Sequence, residues 1–395
     1  MLNCDKIVNH VNRPYFFRDT KITDDQNFTV PNGLGYMAIH RATLMSKGRV
    51  VEDMNYYNYT SYVNVITKLP AEYRGRVLTV TTMLTGESWP SSYPEILTSA
   101  LAGERRGALN RGKIVELLVP VLLSSLTTTR LIPTASQLSL NFQLEGMHCF
   151  SQNYDLNANV VDSKFLMMPE AGKVLRLALL SADLIAELVE LTTDAQQRIK
   201  AELHSGGSLS IPIQASELYT FSVPKDQQEN ATPSITLSAS TRMLSIFFLY
   251  EKAMLGALDE NPMRMYHMGL RKLRINYGAK VQERIFSFTT DDGNVRLGYL
   301  QTLNALGGGV NESTFVTLDE WTDSNCIHVF DVTSSNLVGN CLEIRPNADS
   351  AQKSFSISYE FVRALANPCQ LVMIVQKDKA ILIRPDYSLE LVDSV

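Results

Sequence analysis

Histidine, cysteine, glycine and clustered cations are the side chains in this sequence that could carry chemistry, and their spacing decides whether they do. The six histidines, His10, His40, His148, His204, His267 and His328, stand singly, and none belongs to an HExxH zinc motif. Cys326-Ile327-His328 with Cys341 has the ligand types of a three-residue zinc site. A strand pattern puts Cys326 and His328 on one face as a small hydrophobe and a polar tip, so a packed pair is the preferred reading. His148-Cys149 beside Phe150 offers less, and no local pattern selects a nucleophile among Cys4, Cys149, Cys326, Cys341 and Cys369. Gly307-Gly308-Gly309 is followed by Val310-Asn311-Glu312 rather than Gly-Lys-Ser/Thr, which makes it a helix stop and not a phosphate loop. Arg105, Arg106, Arg111 and Lys113, offset only by Glu104, lack the aromatic neighbours that would stack bases, and a solvated loop or charged subunit contact is expected. Tyr56, Tyr57, Tyr59 and Tyr62 could form a sugar- or base-stacking platform, but interface or edge-strand tyrosines are the plainer reading. No catalytic, cofactor-binding or metal-ligating residue is therefore assigned, and no enzyme activity or cofactor is expected.

The elements that would position these residues are mostly strands. Tyr219, Phe221 and Val223 alternate with Thr220 and Ser222; Leu273, Ile275 and Tyr277 alternate with Arg274 and Asn276. Phe355, Ile357, Tyr359 and Phe361 alternate with Ser356, Ser358 and Glu360, and Leu138, Leu140, Phe142 and Leu144 with Ser139, Asn141, Gln143 and Glu145. Runs at 77–84 and 114–123 have strand length, and the apolar runs 371–375 and 380–383 around Lys377, Asp378 and Lys379 read as a hairpin with a charged turn. Three helices are expected. One begins at Thr193 with a capping box to Gln196, buries Ala195, Ile199 and Leu203, and stops at Gly206. Another begins at Asn294, with Leu297, Leu300, Leu303 and Leu306 on one side, and a weaker one spans 94–101.

Length and composition bound the rest. The 395 residues point to two domains or one very large one. Lys+Arg 36 against Asp+Glu 41 gives a formal net charge of -5, which leaves no chain-wide basic surface for nucleic acid. Charged residues at 19% fall below the roughly 25% of an average protein, as suits a chain whose sides meet copies of itself. Five cysteines without CxxC spacing fit reduced thiols, no secretory signal or membrane span is expected, and the sequons at Asn27, Asn58, Asn230 and Asn311 read as chance matches. Strands on both sides of the Thr193 helix, without βαβ alternation, imply two all-β units in tandem joined near 205–216, each of about eight strands.

A family resemblance becomes visible in the second unit. The strand MLSIFFLY at 243–250 leads to Glu251-Lys252-Ala253-Met254-Leu255-Gly256, then Asn261-Pro262, Tyr266-His267-Met268-Gly269-Leu270 and the strand RKLRINYG. This order resembles the C-terminal jelly roll of double jelly-roll major capsid proteins, in particular those of Polinton or Maverick elements and adintoviruses. Phe330-Asp331-Val332-Thr333 looks like that family's Phe-Asp-Leu-Thr segment, and 355–383 is similar to its terminal strand pair. Upstream, the segments at 115–126, 138–146, 163–168, 175–191 and 218–224 follow the same order more faintly. Met263 stands where an aromatic residue commonly follows Asn-Pro, Asn276-Tyr277-Gly278 interrupts the usual Asn-Gly turn, and 1–109 has no counterpart.

The resemblance implies an all-β protein of two jelly rolls, with an arm at 1–25, a first jelly roll at 26–214 and a second at 215–395. It implies a structural role: homotrimers forming pseudo-hexameric capsomers that meet neighbouring capsomers, penton and minor capsid proteins in the icosahedral shell of a double-stranded DNA virus or element. The location implied is the virion, after synthesis inside a host cell, with no sequence-specific nucleic acid as partner. In 1–25, Lys6, Arg13, Arg18 and Lys21 are cancelled by Asp5, Asp19, Asp24 and Asp25, so an arm ordered by neighbouring subunits and a folded strand of the first unit both remain open. The rival class is a glycan- or receptor-binding β-sandwich, a spike or lectin-like protein using the Tyr56 to Tyr62 cluster.

Overall fold

The computed structural model describes residues 12–17, 27–29, 33–69, 116–128, 130, 132–145, 152–154, 176–181, 183–186, 189–238, 240–255, 262–278, 280–288, 294–307, 316–333 and 353–393. In the first half the strands are β1 (Asn12–Phe17), β2 (Asn27–Thr29), β3 (Ile39–Ser46), β4 (Arg49–Asn55), β5 (Leu138–Leu144), β6 (Gln152–Tyr154) and β7 (Arg176–Ser181), with helices α1 (Leu34–Met37) and α2 (Tyr57–Lys68). They pair antiparallel as β1-β7, β2-β6 and β4-β3-β5. Residues 12–17, inside the stretch read as an arm, thus pair within their own chain. The β3-β4 hairpin turns at Lys47 and Gly48, both with positive φ, the conformation whose twist matches a two-residue hairpin.

Helix α2 corrects the reading of its tyrosines. The segment is rich in β-branched and aromatic residues, which favour strands, yet it is a helix with Tyr57, Tyr59 and Tyr62 buried and Tyr56 half-buried. Burial on nearly all sides compensates for the weak local propensity. These tyrosines fill the core and cannot serve as an exposed stacking platform. The run at 114–123 is also corrected: residues 116–123 are irregular, and the N–H of Leu122 is satisfied by the Tyr57 hydroxyl rather than by a sheet ladder.

The second half begins with helix α3 (Thr193–His204) and continues through β8 (Leu209–Val223), β9 (Glu229–Ala231), β10 (Ile235–Leu237), β11 (Thr241–Tyr250), α4 (Glu251–Leu255), β12 (Leu270–Tyr277), β13 (Lys280–Ile285), α5 (Asn294–Ala305), α6 (Leu318–Asp323), β14 (His328–Asp331), β15 (Lys353–Phe361), β16 (Cys369–Ile383) and β17 (Leu389–Asp393). The cap of α3 is Thr192, one residue before the expected one: its hydroxyl accepts from Ala195 N–H at 3.4 Å, and the Gln196 side chain reaches back to the Leu191 carbonyl. Gly206 closes the helix with φ +85° as expected.

Two antiparallel sheets follow. One has the order β8-β16-β11-β14, with β17 also on β16; the other runs from β9 and β10 through β15 and β12 to β13. Counting β9 and β10 as one interrupted strand, the eight strands pair as first-eighth-third-sixth and second-seventh-fourth-fifth, the strand order of a jelly roll. The alternation at 355–361 is realised: Phe355, Ile357, Tyr359 and Phe361 are buried, and the serines and Glu360 between them face the wetter side. Phe248 on β11 meets Tyr359 and Phe361 edge-on at 5.9 and 5.4 Å, stitching one sheet to the other across the core.

Two further expectations are corrected, the hairpin at 371–383 and the leucine face of α5. Residues 371–383 form no hairpin; β16 runs straight through Lys377, Asp378 and Lys379 and pairs with β8 from Cys369↔Val223 to Ile383↔Leu209. Glu217 on β8 makes this possible by holding Lys377 at 2.5 Å and Lys379 at 3.4 Å. The boundary expected between 214 and 215 falls inside β8. On α5, Leu297 and Leu300 are exposed, and the buried positions are Gly298 and Thr302. Spacing of i, i+3 drifts about 60° per step, so four such leucines wrap around the helix rather than share a face. The expected elements at 77–84 and 94–101 lie outside the described residues.

Candidate functional site

The second unit concentrates the polar chemistry where β13, α5, α6 and β14 meet. Arg284, on β13, is buried, donates to Thr302 Oγ1 at 2.9 Å and to the Gln301 and Val329 carbonyls, and stacks over Phe330 at 3.9 Å. Burial pushes it down to about 9. Arg284 has no carboxylate in ion-pair range among the described residues. Beside it, Cys326 and His328 are fully buried, with Sγ 3.6 Å from Nε2. Burial holds the Cys326 thiol well above its usual range, and burial followed by the charges of Arg284 and His267 holds His328 well below its own. A thiol kept protonated and walled in by protein is not a nucleophile. Cys341, the third residue of the sequence-level zinc candidate, lies outside the described residues, as do Cys4, Cys149, His10, His148 and the basic group Arg105, Arg106, Arg111 and Lys113. Among the described residues no three His, Cys, Asp or Glu side chains gather as metal ligands.

An open cleft of about 550 Å³ borders this region, lined by Lys280, Gln282, Glu283, Arg284, Gln301, Asn304, Ala305 and Asp331. Three of its lining side chains are engaged in the fold. Lys280 Nζ donates to the Thr333 carbonyl at 2.5 Å, Gln282 Nε2 to the Asp331 carbonyl at 2.6 Å, and Arg284 to the Val329 carbonyl. These three side chains, at every second position of β13, take the carbonyls at every second position along the β14 edge. The two sheets are laced at this rim, and three carbonyls along that edge are satisfied inside the molecule. Sequence reasoning missed the lacing because Val281 and Ile285 alternate as an inward face would; they are the exposed residues instead.

A second set of bonds joins the halves of the chain. Tyr62 on α2 donates to Asn325 Oδ1 at 2.9 Å, Gln376 Nε2 to Asn64 Oδ1 at 3.4 Å, and Leu389 N–H to the buried Ser46 hydroxyl at 3.2 Å; Lys47 Nζ donates to the Asp386 carbonyl. Ser46 in turn donates to the Ser136 carbonyl at 2.7 Å, so one hydroxyl ties three segments. Within the first half, Glu52 accepts the backbone N–H groups of Ser124 and Ser125 at 2.9 and 2.8 Å. Outward-facing apolar side chains include Val281 and Ile285 on β13, Leu297 and Leu300 on α5, and Leu255 and Ile185, over half exposed in each case. No helix among the described residues is long and apolar enough to cross a membrane.

Comparison with known proteins places this architecture. No protein-family model and no curated protein matches the sequence. Among solved structures, a chain from the 3.5 Å cryo-EM structure of the Sputnik virophage matches with a TM-score of 0.56 and 10% identity, over 98% of this chain and 83% of that one. The mavirus major capsid protein, from its crystal structure, matches with a TM-score of 0.54 and 10% identity, over 97% of this chain and 85% of that one. The chain shares its all-β, double jelly-roll fold with this virophage chain and this major capsid protein.

Proposed function

From this fold we propose that the chain is a structural major capsid protein, without enzymatic activity, of an icosahedral double-stranded DNA virus or virus-like element. The observation that carries the reading is the match over nearly the whole chain to a virophage chain and a major capsid protein, reached through jelly-roll strand order and not through sequence identity. Three copies form a pseudo-hexameric capsomer, since each copy supplies two jelly rolls, and capsomers meet one another and penton and minor capsid proteins in the virion. The division into two jelly rolls, with Asn12–Phe17 paired to Arg176–Ser181 rather than free as an arm, belongs to the same proposal, as does synthesis inside the host cell. The exposed Val281, Ile285, Leu297 and Leu300 support it, because apolar side chains on a rim are covered when copies associate. The rival reading, a glycan-binding sandwich, loses its platform with the burial of Tyr57, Tyr59 and Tyr62.

Sedimentation equilibrium with electron microscopy of the purified chain tests the proposal. Trimers of the 44.1 kDa chain that build shells or rosettes are expected. A monodisperse monomer at micromolar concentration, forming no particles at any ionic strength, overturns it.

A further inference from the structure

Two long connections of the second unit meet in one seam. Met265 N–H donates to the Ser324 carbonyl at 2.8 Å and Cys326 N–H to the Met265 carbonyl at 3.1 Å, so segments 262–269 and 324–327 are bonded by their backbones. Around the seam is a box of rings. His267 stacks on Phe288 with centroids 4.3 Å apart and planes within 9°, and Phe288 packs against Phe286 and Trp321. His328 lies 4.7 Å from Phe286 and edge-on to Trp321 at 5.4 Å.

Neither imidazole has an acceptor waiting for a second proton among the described residues. His267 Nδ1 accepts the Gly269 N–H at 2.9 Å, which requires that nitrogen to be bare. His328 is wholly buried, and its Nδ1 has no hydrogen-bond partner. Among the described residues the charged and titratable groups around the pair are Arg284 from β13, Arg264 and its partner Tyr266 from 262–269, Asp323 on α6 at 3.2 Å from Arg264, Cys326, and Tyr299 on α5. Two arginines face the imidazoles and, among the described residues, Asp323 is already engaged by Arg264, so a new positive charge is placed beside cations.

We propose that His267 and His328 form an acid-release latch, in which proton uptake by the two imidazoles loosens residues 262–269, 286–288, 294–307 and 316–327 from the sandwich while the β8-β16 pair holds. Burial, and then Arg264, lowers His267; burial, and then Arg284 and His267, lowers His328. Both groups therefore bind protons more readily in the open form than in the closed one. The closed form keeps its full stability above the ordinary histidine range of about 6.5 and loses it as the pH falls below that range. Each proton taken up on opening multiplies the open fraction by up to about tenfold per pH unit. The latch is a property of the folded chain and holds whether or not the chain builds a shell.

Hydrogen exchange of the purified full-length chain at pH 7.5 and 5.5, corrected for the pH dependence of intrinsic exchange, tests it. Protection should fall by about tenfold or more in 262–269, 286–288, 294–307 and 316–327, and stay constant in 209–223 and 369–383. His267→Asn, whose side-chain oxygen can take the Gly269 N–H, and His328→Phe should each shrink the acid-induced loss. Unchanged protection of the wild-type chain at pH 5.5, or equal loss across all segments, overturns the proposal, as does a wild-type acid response in the folded variants. If His328→Phe fails to fold, the wild-type profile and His267→Asn decide.

Discussion

Tyr62 and Asn325 are 263 positions apart in sequence and share a buried 2.9 Å hydrogen bond, the hydroxyl donating to Oδ1. Through it, α2 of the first half holds the same 324–327 segment that closes the ring box of the second. Tyr62→Phe removes the donor and leaves a buried amide oxygen short of a partner, which should cost about 1–2 kcal/mol. Chemical denaturation monitored separately in the two halves should show their transitions drawing apart. An unchanged midpoint would mean that the halves are held without this bond.

The inner face of β15 gives an asymmetric pair of substitutions. Ile357 is fully buried, and Ile357→Ala should cost about 2–5 kcal/mol through lost burial and a cavity. Ser356 faces the wetter side, where its hydroxyl accepts from Asn276 Nδ2 at 3.1 Å, and Ser356→Ala should cost under about 1 kcal/mol. Equal shifts in thermal unfolding would contradict the register.

Glu217 is the anion that lets β16 carry lysines in mid-strand. Burial raises the Glu217 carboxyl, but the Lys377 hydrogen bond and the charges of Lys377 and Lys379 outweigh it and hold the group below its usual range. Its pairing therefore stabilises the fold above the ordinary carboxylate range and is lost as the pH falls through the lowered value. Glu217→Gln leaves the buried Lys377 ammonium without a counter-ion. With Glu217 itself about one-third exposed, solvent screening reduces the expected cost to about 1–3 kcal/mol. Urea titrations at pH 7 and pH 3 should show the difference between wild type and variant narrowing in acid.

Gly298 sits in α5 where helix propensity alone favours alanine by about 1 kcal/mol. A Cβ there would lie 2.4 Å from Phe286 Cε1, so the Phe286 ring must move within the box it shares with Phe288 and His328. Gly298→Ala should lower stability by about 1–3 kcal/mol despite the propensity gain. A raised melting temperature would show that the ring yields without strain.

The lacing of β13 to β14 makes a further prediction. Gln282→Ala frees the Asp331 carbonyl on a sheet edge and should cost about 0.5–1.5 kcal/mol. Light scattering should also show faster aggregation on mild heating, because an unsatisfied edge accepts strands from other chains. Aggregation at the wild-type rate would show that the edge is protected by other means.

Period-two alternation at 355–361 and 273–277 was enough to fix which side chains face the core, because successive residues in a strand point to opposite sides whatever the partner is. Gly206 and Gly307 marked helix ends for an equally local reason, their positive φ. Family-like segment order identified the jelly rolls before any pairing was known. Tertiary structure decided what depended on distant partners. Tyr57 to Lys68 is a helix because its surroundings bury it, and Lys377 and Lys379 lie within a strand because Glu217, some 160 positions away, neutralises them. Val281 and Ile285 face outward because Lys280, Gln282 and Arg284 find carbonyls on β14. The ring box around His267 and His328 was invisible for the same reason: its members come from four separate segments, and only their burial together gives two ordinary histidines an environment that resists a proton.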